Sequence, residues 1–112
     1  MSDRDNRALS IILESAGAYI SREAGRNTLI TPTRVMLSSD RKDATIFVSV
    51  FPDGEEKQAL SFLIRHKDMF RNELKKTRLM RLPFIHFEID YGEKNRQHLE
   101  EISKDLDIEP EV

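Results

Sequence analysis

Cysteine is absent from the chain. Disulfide frameworks, thiolate metal sites and cysteine nucleophiles are therefore excluded together, and the composition fits a reducing compartment. Glycine is scarce, and its four residues, Gly17, Gly25, Gly54 and Gly92, never cluster. A loop that cradles phosphate needs several glycines so that backbone N–H groups can approach the anion, which argues against nucleotide hydrolysis. No apolar run approaches the ~20 residues needed to cross a bilayer. The opening stretch Met1 to Arg7 is polar and of mixed charge, without the basic lead and apolar centre of a secretion signal, so a cytoplasmic location is expected.

Histidine is limited to His66, His86 and His98, on different predicted elements and never at ligand spacing from one another. His66 and His98 read as solvated helix residues, His86 as an outer-face strand residue. Carboxylates are plentiful, yet spacing alone marks no catalytic pair, and no serine occupies a nucleophile elbow. The expectation is a protein that binds and does not catalyse, with no cofactor and no metal.

What is present is enough for one domain. A chain of 112 residues should bury roughly two-thirds of its unfolded surface. With 38% hydrophobic and 34% charged residues it reads as a globular protein with a heavily charged surface. The net charge of −2 conceals an uneven distribution. Met1 to Ala59 carries eight basic and nine acidic residues, Leu60 to Arg81 seven basic against two acidic, and Leu82 to the end three basic against nine acidic. A near-neutral body is followed by a basic middle and an acidic end.

Periodicity gives the elements. Leu9, Ile12, Ala16, Tyr19 and Ile20 form one stripe of a helix over about Asp5 to Glu23, stopped by Gly25. Gly17, inside it, is expected to mark close packing against a neighbour. Thr31 to Leu37 reads as a strand with Thr33, Val35 and Leu37 on one face and Pro32 near its start or at an edge. After the polar turn Ser38 to Asp43, Ala44 to Phe51 alternates: Ala44, Ile46, Val48 and Val50 inward, Thr45, Phe47, Ser49 and Phe51 outward, the aromatics implying partial cover. Pro52-Asp53-Gly54 is a turn into a long helix, about Glu55 to Lys76, whose stripe of Ala59, Leu60, Leu63, Ile64, Phe70 and Leu74 is interrupted within Arg65 to Asp68, predicting a break. Phe84 to Asp90 is a third strand with Ile85, Phe87 and Ile89 inward. Glu93 to Leu106 reads as a polar helix, and 107–112 as a flexible acidic tail after a single domain spanning 1–106.

A strand–helix–strand order favours a parallel pair. The predicted architecture is α+β: a three-stranded mixed sheet with helices packed on one face and a broken long helix before the last strand. Val35, Ile46, Val48, Leu63, Phe70, Ile85 and Phe87 should share one core.

The functional signal is the basic segment. Lys67, Arg71, Lys75 and Arg78 recur at helical spacing, with Lys76 and Arg81 close by. Such a row attracts phosphates by Coulomb force and counterion release, although a cationic helix face is as often merely solvated. The local excess within a balanced chain tips the reading towards RNA or DNA. The competing reading is a protein-interaction module that uses the acidic end, and a small enzyme ranks third.

Several stretches also resemble a family. Thr31-Pro32-Thr33-Arg34-Val35-Met36-Leu37-Ser38-Ser39-Asp40, followed by Ala44-Thr45-Ile46-Phe47-Val48-Ser49-Val50, is similar to the first hairpin of bacterial ribosome-binding factor A. Phe70-Arg71-Asn72-Glu73-Leu74, Leu79-Met80-Arg81-Leu82-Pro83 and the strand containing Phe87 follow in matching order, so the likeness covers about Leu9 to Arg96. It implies a KH-like fold of the second type and a role in late assembly of the small ribosomal subunit, through rRNA binding during maturation of its 5′ end. It further implies RNA contacts around the broken helix. His66-Lys67-Asp68 stands where that family has a small-x-Gly kink, and Ala24-Gly25-Arg26 where it has Asp-Pro-Arg. The expected RNA-binding residues are Lys67, Arg71, Lys75, Lys76, Arg78 and Arg81, then Arg26, Arg34, Arg41 and Lys42. The expected partners are small-subunit rRNA and free small subunits, bound by a monomer, with no membrane.

Overall fold

The computed structural model describes residues 2–92. The first helix, α1 (Asp3–Glu23), begins earlier than its apolar stripe: Ser2 is the N-cap, its hydroxyl accepting the Asp5 N–H at 3.1 Å. The capping hydroxyl satisfies one otherwise unpaired N–H, and two acids in the first turn complement the positive end of the helix. Strands β1 (Leu29–Leu37) and β2 (Asp43–Phe51) pair antiparallel. After Gly54, which holds φ +96 where a side chain would be strained, α2 (Glu56–Leu74) leads to β3 (Phe84–Ile89), parallel to β2. The sheet order is β1-β2-β3, and both helices cover one face, as expected of the second KH-like type. The predicted helix at 93–106 and the tail at 107–112 lie outside the described residues.

Ile12, Ala16, Tyr19 and Ile20 of α1 meet Ile30, Ala44, Ile46, Val48 and Ile85 of the sheet and Ala59, Leu63, Phe70 and Leu74 of α2 in one core. Ile46, Val48, Leu63, Phe70 and Ile85 are fully buried as expected, whereas Val35 and Phe87 pack against the core only in part.

Some expectations are corrected. Helix α2 runs unbroken through residues 65–68. The interruption seen at Lys67 is bridged by His66, which occupies the core-facing position between Leu63 and Phe70. Its Nδ1 shares a 2.7 Å hydrogen bond with the Tyr19 hydroxyl, and its ring lies 4.2 Å from that of Phe62. His66 is thus a packing residue and not a solvated one. Ile64, assigned to the buried stripe, is 54% exposed. Gly17 marks no close packing: apart from its own helix backbone and chain neighbours, a Cβ at this position would meet no atom within 4 Å. Thr33, placed inward with Val35 and Leu37, is exposed at a register shift between Pro32 and Arg34. The extra residue switches inward parity from Ile30 and Pro32 to Val35 and Leu37, so both halves of β1 face the helices. Pro32 is tolerated because β1 is an edge strand.

Candidate nucleic-acid interface

The basic segment is assembled at the end of the sheet where β1 leaves, β2 begins and β3 begins. The hairpin turn is tied internally: Ser38 accepts the Arg41 N–H through its carbonyl, and Asp40 accepts the Ser38 hydroxyl and the Lys42 N–H. The Lys42 carbonyl then accepts the Phe84 N–H at 2.8 Å, fastening the start of β3 beside the turn. Helix α2 ends nearby by tightening, since the N–H groups of Lys75, Lys76 and Thr77 bond to carbonyls three residues back. Cations at this terminus complement the negative end of the helix.

Between α2 and β3 runs the loop of residues 75–83, and it is anchored. The Arg71 guanidinium donates to the Pro83 carbonyl at 2.9 Å and the Leu82 carbonyl at 3.0 Å, and lies 4.8 Å from the Phe84 ring centroid. Leu79 and Leu82 pack against the core. Thr77 donates its hydroxyl to the Leu74 carbonyl. What points outward is Lys75, Lys76, Arg78, Met80 and Arg81, all exposed. No acidic residue occurs from Leu74 to Phe87. Among the described residues the side chains of Lys75, Arg78 and Arg81 form no ion pair or hydrogen bond.

The other predicted residues separate into groups. Lys67 and Arg71 line a cleft of about 200 Å³ with Asp43, Asp68, Phe84, Ile85 and His86. Asp43 bonds His86 Nε2 at 2.8 Å there. With two cations and two carboxylates in its lining the cleft is formally charge-balanced, so the unbalanced positive charge lies in the loop. Arg41 is committed elsewhere: it holds a left-handed φ of 61 and donates to both Asp5 oxygens, at 2.6 and 2.8 Å. Those hydrogen bonds, against the opposing effect of burial, hold the Asp5 carboxyl down at about 2. Arg34 sits on the open sheet face with its guanidinium 4.0 Å from the Phe47 ring centroid and 3.8 Å from Asp90. That stack gives Phe47 its partial cover, while Phe51 on the same face is 68% exposed. Arg26 follows α1 just before Leu29, which pairs with Phe51 at the opposite end of the sheet from the hairpin turn. Lys42 stays exposed beside the loop.

Three pairings had no signal in the sequence: Asp5 with Arg41, Asp43 with His86, and Arg71 with the carbonyls of residues 82 and 83. Each joins elements distant in the chain or a side chain to main-chain oxygen, which periodicity does not report. Arg22 likewise ties α1 to Glu73 near the end of α2, and its hydrogen bond holds the Glu73 carboxyl below the usual range.

Among the described residues no group of three histidines or carboxylates is arranged to hold a metal, and no helix is long and apolar enough to cross a membrane.

Comparison with known proteins agrees with this architecture. The crystal structure of ribosome-binding factor A from Thermus thermophilus superposes with a TM-score of 0.66 at 22% identity, covering 75% of this chain and 93% of that one. The solution structure of a putative ribosome binding factor A from Thermotoga maritima gives 0.59 at 27% identity, covering 80% and 85%. The family model described as ribosome-binding factor A matches residues 3–103, nearly the whole chain. The chain belongs to the ribosome-binding factor A family.

Proposed function

We propose that this protein is an rRNA-binding assembly factor acting on free small ribosomal subunits late in their maturation, including processing of the rRNA 5′ end, by binding and not by catalysis. It works in the cytoplasm as a monomer. The observation that carries the reading is the anchored, acid-free loop, with Lys75, Lys76, Arg78 and Arg81 exposed and Lys42 beside it. Family membership supplies the ribosome as the context. Cations of this kind neutralise phosphates and position the protein without reading bases. Arg71 and Arg41 support the surface by fixing the loop and the hairpin turn, and Arg34 and Arg26 lie away from it. Lys67 adds one cation at the margin.

The test replaces Lys75, Arg78 and Arg81 together with alanine and measures association with free small subunits at two salt concentrations. Three lost phosphate contacts should weaken binding and flatten its dependence on log salt by roughly two to three units of slope. Unchanged affinity and slope in the folded variant would eliminate this surface.

A further inference from the structure

Met80 is the most exposed large hydrophobic residue among those described, at 84%. It stands between Arg78 and Arg81, on a loop with no acidic residue and with Lys75 and Lys76 at its start. Phe84, 59% exposed at the end of the same stretch, is covered on one side by Arg71, and the remaining exposed apolar residues lie away from the loop. Ile64 and Met69 lie on α2 among Arg65 and Asp68, and Leu29 and Phe51 face each other across strands. The loop that carries Met80 is held from below by Arg71 and by the packing of Leu79 and Leu82, so its outward side chains are presented on a fixed backbone. Little ordering entropy remains to be lost when such a loop binds.

We propose that Met80 is an apolar contact for an unpaired base of RNA, seated while the surrounding cations hold the adjacent phosphates. This rests on the RNA-binding reading of the loop. Charge complementarity sets the partner, because an apolar side chain flanked in the chain by exposed cations is best buried against a polyanion that also offers apolar surface. RNA offers that surface at bulges, loops and ends, where bases leave the stack and expose their faces. A thioether on an unbranched chain adapts to any base and interacts favourably with aromatic rings. The contact therefore favours RNA containing an unpaired base over a continuous duplex, without specifying which base.

Two hairpin RNAs test this, one with a single bulged 2-aminopurine and one fully paired. The protein should bind the bulged RNA more tightly and alter its fluorescence. Met80→Ala should weaken that binding by roughly tenfold, towards the affinity for the paired stem, with the salt slope unchanged because no charge is lost. Met80→Leu should restore most of it. At so exposed a position the variants should fold as wild type. Equal binding of both RNAs by wild type and Met80→Ala overturns the Met80 contact, and if the Lys75, Arg78 and Arg81 variant still loses both RNAs, the RNA reading survives alone. Failure of wild type to bind either RNA removes that reading and the proposal with it. Retention on phosphatidylserine vesicles that depends on Met80, with RNA binding indifferent to it, would assign the residue to a lipid surface and overturn the proposal.

Discussion

Replacing Arg71 with lysine separates two roles that one cation can have. If Arg71 chiefly met phosphate, lysine would keep the charge and most of the function. The structure instead shows its guanidinium bridging the carbonyls of Leu82 and Pro83 while lying over Phe84. Hydrogen bonds from a charged group contribute about 1.5–3 kcal/mol each, and the half-exposed setting argues for the lower end. The exposed cation–π contact adds about 0.5–1 kcal/mol. Loss of all three gives about 3.5 kcal/mol for Arg71→Ala, a large share of a small domain's stability. Arg71→Lys should lose at least half of that, since an ammonium cannot span two carbonyls with a planar fork. At about 4–8 °C per kcal/mol, the alanine variant should melt roughly 14–28 °C lower. Urea and thermal denaturation of the two variants measure this directly. A lysine variant within about 0.5 kcal/mol of wild type would refute the clamp and return Arg71 to the phosphate-binding surface.

Three further outcomes are expected. Gly17→Ala should stabilise the protein by about 1 kcal/mol, because alanine is the better helix former and its methyl meets nothing; a lower urea midpoint would show a clash where open space is found. Asp5 ionises at about 2 in the folded chain against an ordinary 3.8, so the stability it contributes is complete above about pH 4 and is lost as the pH falls towards 2. Asp5→Asn should remove this part of the acid limb in pH-dependent unfolding, and an identical limb in the variant would discount the Arg41 bond. Phe70, fully buried with its ring 5.6 Å from that of Tyr19, should cost about 3–5 kcal/mol on truncation to alanine, and the half-buried Phe87 clearly less; equal losses in denaturation would contradict the burial assigned to them.

Much of the fold was legible because it rests on local period. The stripe of α1 and the alternation of β2 each repeat over several residues, and every repeat reports the same buried face. The parallel placement of β3 followed from the helix between it and β2. The basic segment was legible too, since seven cations against two acids is a property of composition. Period failed where a single residue broke it for a tertiary reason. His66 interrupts an apolar stripe in the sequence but completes it in space, because Tyr19 on another helix satisfies its nitrogen. The β1 bulge reverses side-chain parity at Thr33, and only the partner strand reveals it.

Among the described residues, the sequence by itself determined the order of helices and strands and where positive charge is concentrated, since both depend on neighbours along the chain. Tertiary structure decided which cations are already engaged by a partner. Arg34, Arg41 and Arg71 look no different from Arg78 and Arg81 as letters, yet they meet an aromatic ring, a carboxylate and two carbonyls contributed by distant segments. A charge is available to a ligand only when folding gives it no partner of its own, and no local pattern records that.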